Sequence, residues 1–151
     1  MTQSDFVLVR IKRLPSGQGV ELPKKMSELA AGFDLSAAVL RPTHVRPGET
    51  ALIPCGFALS LPPGYVGDIR PRSGLAIKHG ISVANSPGTI DADYRGEIEV
   101  GLINLGNKLF TVERGQRIAQ LVILALPTIR FLEVDELDVT GRNESGFGHT
   151  G

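Results

Sequence analysis

Only one of the 151 residues is a cysteine, Cys55, so no internal disulfide can form. That fits a reducing compartment, and a cytoplasmic location is expected. An excess of charge of one sign is missing too. Sixteen Lys and Arg stand against sixteen Asp and Glu, a formal net charge of zero. No global field then favours nucleic acid or a membrane, and neither is expected as a partner. Any polyanion has to be met by a local set of arginines. Long apolar runs are also lacking. The longest, residues 118–126, contains Gln120 and is too short to span a bilayer. The opening Met1-Thr2-Gln3-Ser4-Asp5 has no basic segment leading into an apolar one, so no signal peptide is expected.

Turn formers are plentiful. Eighteen Gly and ten Pro are scattered between short β-prone runs, which predicts one all-β domain with many turns. Strands are expected over residues 6–12, 50–61, 65–70, 97–104, 109–112, 117–126 and 129–134, with a break at Pro54 marking an edge or a bend. Residues 14–25 read as loop, 26–30 as extended chain, and 133–138 as an acidic connector. The run 117–126 has no wet face, so it is central to a sandwich or buried between subunits. Gln120 within it must tie a loop or meet a ligand. One helix is expected over 71–80. Ser73 suits its start, Lys78 and His79 its negative end, and Gly80 its C′ position. His79 has no second His or Cys at ligand spacing.

The segment that organises the chain is Asn85-Ser86-Pro87-Gly88-Thr89-Ile90-Asp91-Ala92-Asp93-Tyr94-Arg95-Gly96-Glu97-Ile98. It reads as a hairpin: Ser86-Pro87-Gly88 turns the chain, Thr89-Ile90 delivers Asp91, a second polar bend follows, and Glu97-Ile98-Glu99-Val100 alternates as a returning strand. Such a bend either reads the edge of a flat polar ring, leaving Asp91 for chemistry, or is a solvated surface turn. Asp34 lies among small apolar residues, where a carboxylate needs backbone donors or a cation. Arg72-Ser73-Gly74, opening the helix, combines free N–H groups, a hydroxyl and a guanidinium that suit an anion, or simply caps a helix. The polar tail from Arg142 to Gly151 carries one aromatic, Phe147; its amides suit phosphates and its ring suits a base, unless it is a frayed end.

Five spaced segments together resemble the trimeric deoxyuridine triphosphate nucleotidohydrolases (dUTPases). They are Ala31-Gly32-Phe33-Asp34-Leu35; Arg72-Ser73-Gly74-Leu75-Ala76; Gly88-Thr89-Ile90-Asp91-Ala92-Asp93-Tyr94-Arg95-Gly96; Arg114-Gly115-Gln116-Arg117-Ile118-Ala119-Gln120; and Arg142 with Gly146-Phe147-Gly148-His149-Thr150-Gly151. The resemblance implies a jelly-roll-like β-barrel or sandwich, a homotrimer with shared active sites, and hydrolysis of dUTP to dUMP and pyrophosphate. That activity would limit uracil in DNA and supply dUMP for thymidylate synthesis. Mg²⁺ would arrive on the phosphates with no direct protein ligand, meeting Asp34 through water. Asp91 would act as general base, activating water for in-line attack on the α-phosphorus.

The resemblance further implies that Asn85 and the backbone of Gly88, Thr89 and Ile90 read uracil, with Ile98 and Glu99 completing the pocket. Tyr94 would pack under the deoxyribose. Arg72, Ser73 and Gly74 would cradle phosphates from a neighbouring subunit, and Gln120 would lie near the α-phosphate or sugar. Residues 142–151 would form a lid on the 1–141 domain, with Arg142 on phosphate, Phe147 over uracil and Gly148 beside it. Phe33, Gln116, Asn143, Ser145 and His149 depart from the commonest pattern, and none removes a group the chemistry needs. A dCTP deaminase-like enzyme and a non-catalytic nucleotide-binding homologue are the rival readings; a structural capsid-type jelly roll is a third.

Overall fold

The computed structural model describes residues 6–146. Phe147, Gly148 and His149 lie outside them. In chain order the elements are β1 (Arg10–Arg13), a 3₁₀ turn (Pro15–Gly17), β2 (Phe33–Ser36), β3 (Thr43–Val45), β4 (Thr50–Ser60) and β5 (Tyr65–Pro71). They continue with α1 (Ser73–His79), β6 (Ile81–Val83), β7 (Gly88–Ile90), β8 (Glu97–Asn104), β9 (Phe110–Val112) and β10 (Arg117–Ala125). One four-stranded sheet runs β1-β4-β8-β6, a second runs β2-β10-β5-β7, and β3 pairs with β9 alone. Every strand pairing is antiparallel. The expected all-β class with one short helix is what forms. The sheets stay open, so the architecture is a sandwich rather than a closed barrel.

The two faces are held by one core. Leu35, Ile53, Phe57, Ile69, Ile81, Ile98, Val100, Leu102, Val112, Ile118 and Leu121 meet in it, drawn from all three sheets. On β8 the period-2 pattern is complete: Ile98, Val100, Leu102 and Asn104 point inward while Glu99 is exposed. Asn104 is fully buried and fully satisfied. Its Nδ2 donates to the carbonyls of Val45 and Lys108, both at 2.8 Å, and its Oδ1 accepts from the Gly106 amide at 2.9 Å.

Several expectations are corrected. The first strand covers only Arg10–Arg13, and Phe6, Val7 and Leu8 before it are exposed. The loop after it contains the 3₁₀ turn, and residues 27–30 make a turn, with the Ala30 amide on the Ser27 carbonyl, rather than extended chain. β4 is unbroken at Pro54 and lies between two neighbours. Its irregularity is a register shift between Pro54 and Ala58, centred on Gly56 at φ +75°, so Pro54 marks a bend and not an edge. Residues 129–134 form no strand, and Phe131 is fully exposed. Both four-stranded sheets end in edge strands, β1 and β6 in one and β2 and β7 in the other, and this segment pairs with none of them. β10 is central in its sheet, one of the two placements its dry faces predicted. No helix among the described residues is long and apolar enough to cross a membrane.

Cys55 is buried on β4, and that burial, with the carboxylates of Glu97 and Glu99 adding to it, pushes its thiol up to about 12. An unfolded thiol ionises at about 8.5. Above that value the unfolded chain loses a proton that the folded chain keeps, so stability falls as pH rises toward 12. The slope is about 1.4 kcal/mol per pH unit from this group. Denaturant unfolding between pH 8 and 11 checks this: wild type should lose stability more steeply than Cys55→Ala, and parallel curves would refute it.

Candidate active site

The segment 85–98 departs from the expected hairpin in an informative way. β7 pairs with β5, whereas β8 pairs with β4 and β6, so the two arms belong to different sheets. The connection is a crossover between layers. Its first turn is closed by the Ser86 amide on the Val83 carbonyl (3.2 Å), and the Ser86–Pro87 peptide is cis. Its second turn is closed by the Tyr94 amide on the Asp91 carbonyl (3.1 Å). Splitting the arms between sheets opens a groove where they diverge.

One part of that groove is a cleft of about 270 Å³ lined by Leu52, Ile69, Val83, Asn85, Gly88, Thr89, Ile90, Glu99 and Gly101. The other part, also about 270 Å³, is lined by Asp91, Tyr94 and Glu97 together with Leu52, Thr89, Ile90 and Glu99. The shared residues make the two parts continuous. Gly88 is buried against β5, and a Cβ there would stand 3.3 Å from Ile69 Cβ and 3.5 Å from Asn85 Nδ2. Glycine therefore lets the Asn85 carboxamide lie against the strand. The floor is apolar and the rim carries an amide and backbone groups, a combination suited to a flat polar ring. Asp91 stands exposed at the mouth. Tyr94 donates its hydroxyl to the Glu97 carbonyl at 2.9 Å, and its ring lies so close over Gly96 that a Cβ there would meet Oη at 2.3 Å.

The second cluster is elsewhere. Asp34, Arg72, Ser73, Gly74, Arg117 and Gln120, with Met26, line a cavity of about 240 Å³ that shares no residue with the groove. Here Asp34 meets cations, the second of the alternatives open to it. Its Oδ2 accepts from Arg117 Nη1 at 3.0 Å and lies 3.5 Å from Arg72 Nε. Arg72 Nη1 also donates to the Arg117 carbonyl at 3.1 Å. Gln120 Nε2 donates to the Pro71 carbonyl at 2.9 Å, so its carboxamide ties the end of β5 while facing the cavity. Two guanidiniums sharing one carboxylate leave positive charge unspent, which suits an anion.

One local expectation changes. Arg72, not Ser73, is the helix N-cap; no side chain caps the end, and Ser73 is the first helical residue, exposed. Extended backbone at Arg72 (φ −88°, ψ 126°) starts the helix one residue earlier than a serine cap requires. Gly80 closes the far end as expected, left-handed at φ 69° and donating to Leu75 and Ala76 carbonyls. Arg142 is exposed, with Nε donating to the Ser145 carbonyl at 2.7 Å, and Asn143 takes the left-handed conformation that Asn tolerates.

The structure thus gathers Asn85, Gly88, Thr89, Ile90, Asp91, Tyr94 and Glu99 in one place, and Asp34, Arg72, Ser73, Gly74 and Gln120 in another. Sequence reasoning passed over Arg117, Glu97 and Leu52 as site residues. Nothing local marks Arg117, because only the pairing of β10 with β2 brings it beside Asp34. Among the described residues no group of three or more His, Cys, Asp or Glu is placed to hold a metal ion.

The dUTPase family model matches residues 18–151, and the chain belongs to that family. A deoxyuridine 5′-triphosphate nucleotidohydrolase of Caldanaerobacter subterraneus is 50% identical over 145 residues, 96% of this chain and 98% of the relative. The enzyme of that name from Rhizobium leguminosarum is 52% identical over 141 residues, 92% of this chain and 90% of the relative. Among solved structures, the dUTPase of Staphylococcus bacteriophage 80alpha with dUpNHpp superposes with a TM-score of 0.85 at 28% identity, covering 95% and 98% of the two chains.

Proposed function

We propose that this protein is a dUTP diphosphatase, hydrolysing dUTP to dUMP and pyrophosphate and so limiting uracil in DNA while supplying dUMP for thymidylate synthesis. The observation that carries this reading is the groove between β7 and β8, with a base-sized cleft at one end and the free carboxylate of Asp91 at the other. Uracil sits in the cleft against Asn85 and the backbone of Gly88, Thr89 and Ile90, with Glu99 at its border. Cytosine presents the opposite donor and acceptor pattern and leaves buried groups unpaired, which a polar site rejects strongly. The Tyr94 ring packs under deoxyribose and leaves no room for a 2′-hydroxyl. Asp91 takes a proton from water as that water attacks the α-phosphorus in line with the departing pyrophosphate.

Phosphates are held by Arg72, Ser73 and Gly74, with Gln120 near the α-phosphate or sugar. These groups stand apart from Asp91 within one chain, so a complete site draws them from a neighbouring copy. A homotrimer supplies that copy. The exposed apolar side chains of Ile129, Phe131 and Leu132 are surface a partner subunit would cover. Arg142, Phe147 and Gly148, in the 142–151 tail, close over the nucleotide and exclude bulk water. The one carboxylate of the cradle is already engaged by two guanidiniums, which fits Mg²⁺ carried hydrated on the phosphates and met by Asp34 through water. When bound, the ion neutralises phosphate charge. The free thiol in a disulfide-less chain suits a reducing, cytoplasmic setting.

Pyrophosphate release from dUTP, dTTP, dCTP and UTP tests the reading directly. Turnover of dUTP should exceed that of each other nucleotide by at least about a hundredfold. Comparable turnover of UTP would sink the role of Tyr94, and ammonia release from dCTP would replace the reaction altogether.

A further inference from the structure

We infer that Glu97 is a positioning residue for this hydrolysis: its carboxylate ties the Asp91-bearing bend to the bulge of β4 and to the 3₁₀ turn, and so fixes where Asp91 holds its water. The inference rests on Asp91 acting as the base.

The bend needs such a tie because it belongs to no ladder. Its arms run into different sheets, and the bonds at its tip stay within it. The Tyr94 amide donates to the Asp91 carbonyl, and Arg95 Nη1 donates to the carbonyls of Ala92 and Tyr94 at 2.7 and 2.9 Å. Tyr94 donates its hydroxyl to the Glu97 carbonyl, which passes the load to Glu97. Glu97 is where the bend meets the frame. Between the paired positions Pro54 with Glu99 and Ala58 with Glu97 the register of β4 slips, and a bulge leaves backbone groups outside the ladder. Glu97 Oε1 accepts the Gly56 amide of that bulge at 2.9 Å and the Ser16 hydroxyl at 3.3 Å.

The far side of this tie is rigid. Gly17 and Gly56 are in backbone contact, so close that a Cβ on Gly17 would stand 2.1 Å from the Gly56 carbonyl oxygen. The Arg114 guanidinium donates to the carbonyls of Ser16 and Gln18, both at 2.8 Å, and to those of Ala38 and Val39. A carboxylate anchored there holds one end of the bend while its own backbone holds the tyrosine. Misplacing a catalytic group by about 1 Å is enough to cost up to about a hundredfold in rate.

The test is steady-state dUTP hydrolysis by Glu97→Ala and Glu97→Gln, with Asp91→Asn as control and melting temperature recorded for each. Glu97→Ala should lower kcat about tenfold with KM within about twofold, because the base moves while the cleft and cradle stay. Glu97→Gln keeps the acceptor oxygen and should hold kcat within about threefold of wild type. Wild-type kcat in Glu97→Ala, or Glu97→Gln as slow as Glu97→Ala, overturns the inference. So does a rise in KM with kcat unchanged. Should Glu97→Ala fail to fold, Glu97→Asp carries the test, since it draws the acceptor back by one methylene; a lowered kcat supports the tie and an unchanged kcat overturns it. If Asp91→Asn keeps wild-type turnover, the parent reading fails; if Asp91→Asn is inactive while the Glu97 variants are unimpaired, only this inference does.

Discussion

Asp91→Asn should lower kcat for dUTP about a thousandfold while leaving nucleotide affinity within a few fold. The substitution keeps the shape of the side chain and the turn closed by the Tyr94 amide, and removes only the ability to accept a proton from water. Asp91 is exposed at the groove mouth, so no buried charge is lost and the fold has no reason to weaken. Single-turnover hydrolysis and titration with a non-hydrolysable dUTP analogue separate the two effects. Lost affinity with kcat preserved would place Asp91 in binding rather than chemistry.

The same variant also tests whether sites are shared. Arg72→Ala should be impaired through loss of the cradle guanidinium, which lines a cavity with no residue in common with the groove of Asp91. Mixing the two impaired variants under conditions that exchange subunits should restore turnover, since some sites then combine an intact Asp91 from one copy with an intact Arg72 from another. Activity that never rises above the sum of the two parents would mean each chain builds its site alone.

The largest effect on stability is expected at Gly56. An alanine there must adopt φ +75°, and its Cβ would lie 2.3 Å from Gly17 Cα and 2.7 Å from Gly17 N, both backbone atoms that cannot swing away. The left-handed conformation and the forced separation of two backbones together cost about 3 kcal/mol, or roughly 10 °C in melting temperature for a chain of this size. Gly48→Ala is the matched control. Gly48 has φ +79° with no atom within 4 Å of where a methyl would stand, so it carries the conformational cost alone, about 1 kcal/mol. Equal melting temperatures for the two variants would show that the contact between the 3₁₀ turn and the β4 bulge yields easily, and would weaken the case for Glu97 as an anchor.

How much of this was legible beforehand divides by distance along the chain. Turn chemistry is local, so Ser86-Pro87-Gly88 and the left-handed Gly80 could be read directly, whereas the break expected at Pro54 falls instead at the bulge around Gly56. Alternation is local too, and Ile98, Val100 and Leu102 point inward as their spacing predicted. The short strands β3 and β6 escaped notice because three residues carry too little pattern, and each forms by pairing with β9 or β8. The reverse error occurred at 129–134, where the pattern suited a strand but no edge received it. Arg117 and Glu97 were overlooked as site residues for a related reason: each gains its meaning from a partner far away in sequence, Asp34 for the one and Gly56 for the other.

The order of residues alone determined the chemical repertoire: a carboxylate delivered by a two-turn bend, an arginine at a helix start, a chain without disulfides and with no excess charge. Those properties reside in side chains and in φ preferences that neighbours set. Tertiary structure decided that the bend's arms part into separate sheets, that the bulge donor finds a carboxylate, and that base-sized cleft and basic cradle lie apart in one chain. Sheet membership depends on which backbone edges meet after collapse, and no local preference encodes that.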